Sequence, residues 1–116
     1  MGRLGDLQLD LAPEEVARLL REGEVQLVDV REPYEYAAGR IEGARHVELE
    51  RLAAEAASFE QDRPVVFYCR VGGRSAVAAQ AFRASGYDAY NMAGGLLAWA
   101  ERGLALAPEG GRVAEH

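Results

Sequence analysis

The sequence is short of thiols and imidazoles. Its 116 residues include one cysteine, Cys69, and two histidines, His46 and His116. A single cysteine excludes an internal disulfide and a Cys-x-x-Cys redox pair. Because zinc sites are built mainly from clustered Cys and His ligands, two histidines and one cysteine do not indicate one. We therefore expect a protein that uses no metal and no other cofactor.

Long apolar runs and an excess of basic residues are also missing. No stretch approaches the roughly 18 apolar residues of a membrane-spanning helix, and residues 1–6 lack the apolar core of a signal peptide. All basic side chains apart from histidine are arginines, and the net charge is −6. Nucleic-acid binding needs a basic face. We expect a cytoplasmic protein with neither a nucleic acid nor a membrane as its partner.

The composition that is present is that of an ordinary folded domain. Hydrophobic residues make up 49% of the chain and charged residues 28%, enough to build one core in a chain of this length. Segments 7–9, 25–30, 44–47, 65–69 and 88–92 are predicted strands, and helices are predicted after Ala12, Glu32, Glu48, Ser75 and Gly95. This alternation predicts an α/β fold with a mainly parallel sheet. Residues 108–116 contain two adjacent glycines and are predicted to form a loosely ordered tail.

The stretch 65–78 has the pattern of a strand, a tight loop and a helix. Four β-favouring residues precede Cys69, Gly72 and Gly73 follow it, and Ser75 has a side chain suited to capping the next helix. This pattern places the thiol at the carboxyl end of a strand, where open α/β sheets bind their ligands. The Gly94-Gly95 pair predicts a second close approach of the backbone near the same edge.

Charge around Cys69 favours its ionised form. Arg70 and Arg74 flank it in sequence, and loop N–H groups and the positive end of a helix dipole add to their effect. We expect a nucleophilic thiolate in a cradle that attracts anions. The alternative is that Cys69 fills space in the core, as many free cysteines do.

The loop Cys69-Arg70-Val71-Gly72-Gly73-Arg74-Ser75 resembles the active-site loop of single-domain rhodaneses, which are thiosulfate and persulfide sulfurtransferases. Segments 28–44 and 94–103 are similar to the N-terminal and C-terminal signatures of that family. The likeness runs from about residue 7 to residue 106. The sequence departs from the family at two positions. Arg40 stands where the family often has a His before Ile, and Glu48 lies near the position where the family often has a Pro.

The resemblance implies a rhodanese-like domain over residues 1–107, with three layers, α/β/α, around a mainly parallel five-stranded sheet. It implies that Cys69 takes sulfane sulfur from thiosulfate or a persulfide, a small anionic donor, and passes it to a thiol or cyanide acceptor, including a protein thiol. The residues expected to bind the donor are those of the loop: Arg70, Val71, Gly72, Gly73, Arg74 and Ser75. For Ser75, capping the helix is preferred to contact with the sulfur.

A supporting group is expected beneath the loop. Asp29, at the end of a predicted strand, would form a charged network with Arg31 and Glu35. The alternative for Asp29 is that it only caps a turn. His46 is given no catalytic role, and Trp99 is assigned to the core.

Two other functions remain open at this point. Cys69 and Arg74 are separated by four residues, whereas phosphatases and arsenate reductases of the resembled fold have five. A phosphatase also needs a general acid, and neither histidine is expected near the loop. The second-ranked prediction is a binding or sulfur-sensing module with little turnover. A small phosphatase or arsenate reductase ranks third.

Overall fold

Five parallel strands form the centre of the structure, a computed structural model that describes residues 8–116. The spatial order is β1-β5-β4-β2-β3, and each neighbouring pair is parallel. The strands are β1 (Asp10–Leu11), β2 (Gln26–Asp29), β3 (Arg45–His46), β4 (Val65–Tyr68) and β5 (Ala89–Met92). All five therefore end at one edge of the sheet, and the predicted parallel arrangement is confirmed.

Helices cover both faces of the sheet. They are α1 (Pro13–Arg21), α2 (Pro33–Ala38), α3 (Leu52–Glu55), α4 (Gly73–Ala84) and α5 (Gly95–Glu101). One core cluster joins Val16 of α1 and Trp99 of α5 to the sheet. A second cluster joins Leu52 of α3 and Phe82 of α4 to it. The predicted three layers are thus present, and Trp99 lies in the core as expected.

The central strand explains the position of the cysteine. All four residues of β4 are buried, because a parallel strand with helices on both faces has no solvent-facing side. Tyr68 at its end lies beside Asp29 of β2 in the parallel register. Cys69 and the residues after Asp29 therefore leave the sheet next to each other.

Two predicted elements differ from those observed. The first strand was expected at 7–9, but β1 is Asp10–Leu11; Leu7 lies outside the described residues. Leu9 is still part of the pairing, since its carbonyl accepts the N–H of Asn91 at 2.9 Å. The helix predicted over 49–57 is a four-residue α-helix between two 3-10 turns, Leu49–Arg51 and Ala56–Ser58. Short helical segments often tighten in this way at their ends.

The C-terminal segment, 108–116, contacts the domain, although a loosely ordered tail was expected. The N–H of Arg112 donates to the carbonyl of Ala38 at 2.9 Å, and Ala114 is buried. This docking depends on Gly39: a Cβ there would lie only 2.2 Å from the Arg112 carbonyl oxygen. Composition did not indicate the contact because it is made through the backbone.

Within residues 8–116, no helix combines the length and apolar character needed to cross a bilayer.

Gly95 sets the closest backbone approach near the edge where the strands end. It has φ +63°, and a Cβ there would lie 2.5 Å from the carbonyl oxygens of Cys69 and Arg70. The next two N–H groups donate to those carbonyls, from Leu96 at 2.8 Å and from Leu97 at 3.0 Å. The close approach predicted from the glycine pair is confirmed.

Gly95→Ala is therefore expected to cost more stability than Gly103→Ala. Gly103 also has positive φ, +76°, but a Cβ there meets nothing within 4 Å. Gly103→Ala should cost only the left-handed strain, about 1–2 kcal/mol, whereas overlap should bring the loss for Gly95→Ala to about 2–5 kcal/mol. Urea unfolding of both variants measures the difference. Equal losses would mean that the loop moves aside at no cost.

Candidate active site

Cys69 lies directly after β4, at the base of a surface pocket. The residue is only 1% exposed and packs against the core on one side. On the other side it contributes to a pocket of about 330 Å³. The pocket is lined by Cys69, Arg70, Val71, Gly73, Arg74 and His116. A small molecule entering the pocket would thus meet the thiol in a largely desolvated position.

Hydrogen bonds converge on the sulfur. The N–H of Gly72 donates to Sγ at 3.1 Å, and the hydroxyl of Ser75 lies 3.3 Å from it. Burial by itself raises the pKa of Cys69, but the Ser75 hydroxyl and the N–H groups of Ser75, Gly72 and Val71 outweigh it, so that the pKa lies below the usual value. The lowered pKa expected from the sequence is therefore present, and its main cause is direct hydrogen bonding.

Ser75 does not cap α4, and that expectation was wrong. The helix begins at Gly73, and Gly72 occupies the N-cap position with φ +108°. This left-handed conformation, easy for glycine, starts the helix before Ser75, which then lies in its first turn. The Ser75 hydroxyl faces inward, between Cys69 Sγ and Asn91 Oδ1.

Arg74 ties the cysteine loop to α2. Its two Nη atoms donate to the two carboxylate oxygens of Glu35 at 2.9 and 3.0 Å. Glu35 is fully buried, and its Oε1 also accepts the N–H of Glu32 at 2.9 Å. Burial raises the pKa of Glu35, but the hydrogen bonds from Arg74 and Glu32 more than offset it, leaving the pKa below its ordinary value. The loop is thus fixed to a buried carboxylate.

Asp29 and Arg31 form a second buried group with Tyr68. Arg31 donates from Nε and Nη2 to the two oxygens of Asp29 at 2.9 and 2.7 Å, and the Tyr68 hydroxyl donates to Asp29 at 2.8 Å. All three residues are 0% exposed. Burial and the neighbouring Asp29 carboxylate raise the pKa of Tyr68 well above its ordinary value. This group holds the end of β4, whereas Glu35 holds the loop.

The C-terminal segment completes the pocket wall. Arg70 Nε donates to the Ala114 carbonyl at 3.1 Å, and the Tyr34 hydroxyl donates to the Glu115 carbonyl at 3.2 Å. His116 lines the pocket, so the expectation that neither histidine lies near the loop was wrong. A glycine at position 39, where a Cβ would meet the Arg112 backbone, was the sequence signal available for this arrangement.

Asn91 and Tyr68 are site residues that the sequence analysis missed. Asn91 is 4% exposed, in a strand whose residues are all buried. A polar residue in such a strand was the available signal, since a buried amide needs hydrogen-bond partners.

His46 makes contacts of a structural kind. Its Nε2 lies 2.8 Å from the carbonyl oxygen of Arg31, and its ring stacks on Tyr36.

Among the described residues, three carboxylates come close enough together to bind a cation: Glu32, Glu48 and Glu50. Glu50 is exposed and the other two are half-buried, and acidic groups near the surface are common without an ion. We assign them no role in the pocket.

The family profile, two named relatives and one solved structure point to the same family. The profile of the family described as "Rhodanese-like domain" matches residues 12–102. Thiosulfate sulfurtransferase GlpE of Pseudomonas aeruginosa is 40% identical over 90 residues, which cover 77% of this chain and 81% of the relative. A sulfurtransferase of Allochromatium vinosum is 40% identical over 95 residues, covering 80% and 89%. A solved rhodanese-like domain protein of Staphylococcus aureus superposes with a TM-score of 0.74 at 30% identity, covering 91% and 98%.

Glu35→Gln is expected to lower stability by about 1–3 kcal/mol at pH 7, because the partly exposed Arg74 loses its buried carboxylate partner. The lowered pKa of Glu35 in the folded state means that its contribution is complete above the unfolded value of about 4.3 and is lost as pH falls through the folded value. Urea unfolding at pH 7 and near pH 3 should therefore show the difference shrinking with acid.

The matched control is Glu22→Gln. Glu22 pairs with Arg18 at 3.1 Å, but both side chains are about half exposed, so its removal should cost less than about 0.5 kcal/mol. Equal effects of the two substitutions at pH 7 would contradict the role assigned to Glu35.

Proposed function

Because this chain belongs to the rhodanese-like domain family and is a sulfurtransferase of the rhodanese type, we propose that it carries sulfane sulfur as a persulfide on Cys69. The observation that carries the proposal is the buried thiol, hydrogen-bonded by Gly72 and Ser75 at the base of an open pocket. Thiosulfate and small persulfides are the proposed donors. A location in the cytoplasm, where lone thiols stay reduced, is part of the same proposal.

The first half-reaction is a nucleophilic displacement. The Cys69 thiolate attacks the outer sulfur of thiosulfate and forms a new S–S bond. The sulfur–sulfur bond of thiosulfate breaks, and sulfite leaves with its electron pair. No external oxidant is required, and the hydrogen bonds from Gly72 and Ser75 favour the thiolate form that attacks.

The second half-reaction returns the enzyme to its starting state. A thiolate or cyanide attacks the terminal sulfur of the persulfide, the Cys69–sulfur bond breaks, and Cys69 leaves as a thiolate. A protein thiol is among the acceptors we propose, since the pocket is open to the surface. Loop N–H groups between Arg70 and Ser75 would stabilise the negative terminal sulfur, as main-chain donors do for anions elsewhere.

The two loop arginines have different proposed roles. Arg74 is held by Glu35, so its main contributions are to fix the loop and to make the pocket more positive. Arg70 uses Nε for the Ala114 carbonyl, and no partner is found among the described residues for its Nη groups. We propose that these groups bind the sulfonate end of thiosulfate, a task suited to the guanidinium geometry.

Thiosulfate treatment is expected to add the mass of one sulfur atom to the wild-type protein and none to Cys69→Ser. Intact-mass spectrometry gives the result directly, because the chain has one cysteine. Thiosulfate:cyanide turnover should vanish in the same variant. A wild-type protein with no mass gain and no turnover would instead fit a binding or sensing module. Hydrolysis of an aryl phosphate would fit a phosphatase, for which His116 would be the candidate acid.

Arg70→Ala is expected to raise the KM for thiosulfate by roughly tenfold, the effect of losing a charge-assisted hydrogen bond, with a smaller change in kcat. An alkyl persulfide without an anionic group should be used almost as well as before. Arg21→Ala, which removes the same charge from an exposed helix position, is the control. An unchanged KM for thiosulfate in Arg70→Ala would reject the assigned role.

A further inference from the structure

The orientation of the Asn91 amide is determined by its neighbours. Its Nδ2 group lies 2.9 Å from Oδ1 of Asp10 and 3.3 Å from the carbonyl oxygen of Gly72. An ionised carboxylate and a carbonyl only accept hydrogen bonds, so both contacts need the amide nitrogen. The amide oxygen must then face Ser75, whose Oγ lies 2.5 Å away.

The Ser75 hydroxyl has two acceptors and one proton. It lies 2.5 Å from Asn91 Oδ1 and 3.3 Å from Cys69 Sγ. Because Asn91 Oδ1 cannot donate, the short contact is a hydrogen bond only when Ser75 supplies its proton. The same proton is the one that would stabilise the Cys69 thiolate. Asn91 and the thiolate therefore compete for it.

We propose that Asn91 is a positioning residue that draws the Ser75 proton away from Cys69 and so limits how strongly the hydroxyl stabilises the thiolate. When Cys69 is a neutral thiol, its S–H is free to donate to Ser75, and Ser75 donates to Asn91. When Cys69 is a thiolate, the hydroxyl turns to the sulfur and leaves a buried amide oxygen without its donor. That loss disfavours ionisation.

This competition has a use in the two half-reactions, a consequence that rests on the proposed function. When the thiolate attacks the donor, Sγ loses its charge and the Ser75 proton returns to Asn91. When the acceptor removes the sulfur, charge develops on Sγ and the proton turns back to it. If Asn91 did not compete for the Ser75 proton, the Cys69 thiolate would be more strongly stabilised. It would then be a better leaving group but a weaker nucleophile. Asn91 balances the two steps.

Other charged groups also face this site. Arg74 interacts with the Cys69 thiolate, and Arg70 and His116 line the same pocket. Asp10 contacts Asn91 from β1. Arg74 acts on the Cys69 thiolate through space and does not need the Ser75 proton, whereas the proposed effect of Asp10 passes through Asn91 and Ser75. A test must therefore separate effects that pass through Ser75 from effects that do not.

The test is to measure the pKa of Cys69 in the wild-type protein and in Asn91→Leu. The ultraviolet absorbance of the thiolate reports ionisation, and the same titration of Cys69→Ser is subtracted to remove the absorbance of the tyrosines. The loss of the competing acceptor should lower the pKa of Cys69. The thiolate fraction at a pH below the wild-type midpoint should rise about two- to tenfold, the range of one redirected hydrogen bond. If Asn91 only supports the loop, its loss would disorder the donors and raise the pKa. An unchanged or raised pKa would overturn the proposal.

A double-variant cycle shows whether the effect passes through Ser75. Ser75→Ala should raise the pKa of Cys69, because it removes a donor. In that background, Asn91→Leu should have no further effect. A fall in pKa of the same size with and without Ser75 would overturn the proposal. These measurements use the protein without a sulfur donor, so they are independent of whether sulfur transfer occurs.

Asp10 offers a second route that avoids changing a buried strand residue. Asp10 is exposed, so its variants should fold even if Asn91→Leu does not. Asp10→Asn removes the charge and keeps an acceptor for Asn91, whereas Asp10→Ala removes both and leaves only the longer contact with the Gly72 carbonyl to orient the amide. We expect a lower Cys69 pKa in Asp10→Ala than in Asp10→Asn, with the difference lost in the Ser75→Ala background. Equal pKa values in the two Asp10 variants would contradict the proposal.

Discussion

The hydrogen bonds to the Cys69 sulfur depend on a loop backbone that is held open toward the thiol. Gly72 takes a left-handed conformation, and its N–H donates to the sulfur. The carbonyls on the other side of the loop are occupied by Leu96 and Leu97 of α5. With the carbonyls of Cys69 and Arg70 bound on the outside, the loop presents the Gly72 N–H to the sulfur.

One buried and one partly buried ion pair keep this arrangement in place. Glu35 holds Arg74 at the end of the loop, and Asp29 with Arg31 holds the strand from which the loop emerges. Burying charges is costly, and such pairs are not a reliable source of stability. Their value here is geometric, because a bidentate guanidinium–carboxylate pair allows little displacement. The protein thus uses two ion pairs that are costly to bury to hold the Cys69 sulfur and its hydrogen-bond donors in fixed positions.

Much of the fold could be predicted from the sequence, and the reasons are local. The apolar run 65–68 indicates a strand buried on both faces, and Pro13 and Pro33 mark two helix starts that the structure confirms. The site was predictable in part. Cys69 follows a strand and precedes a glycine pair, and this pattern is enough to place it at the edge of the sheet where the parallel strands end. The predicted N-cap at Ser75 failed because the left-handed Gly72 begins the helix earlier, and a residue pattern does not report φ.

The sequence by itself determined the parallel α/β architecture, the family, and the position of the one thiol at a strand end, because these follow from periodicity and from motifs close together along the chain. Only the tertiary structure decided which groups surround that thiol. Asn91 reaches Ser75 from a neighbouring strand, Glu35 reaches Arg74 from another helix, and His116 arrives from the far end of the chain. Contacts between such distant segments depend on packing geometry, and no spacing within a short motif encodes them.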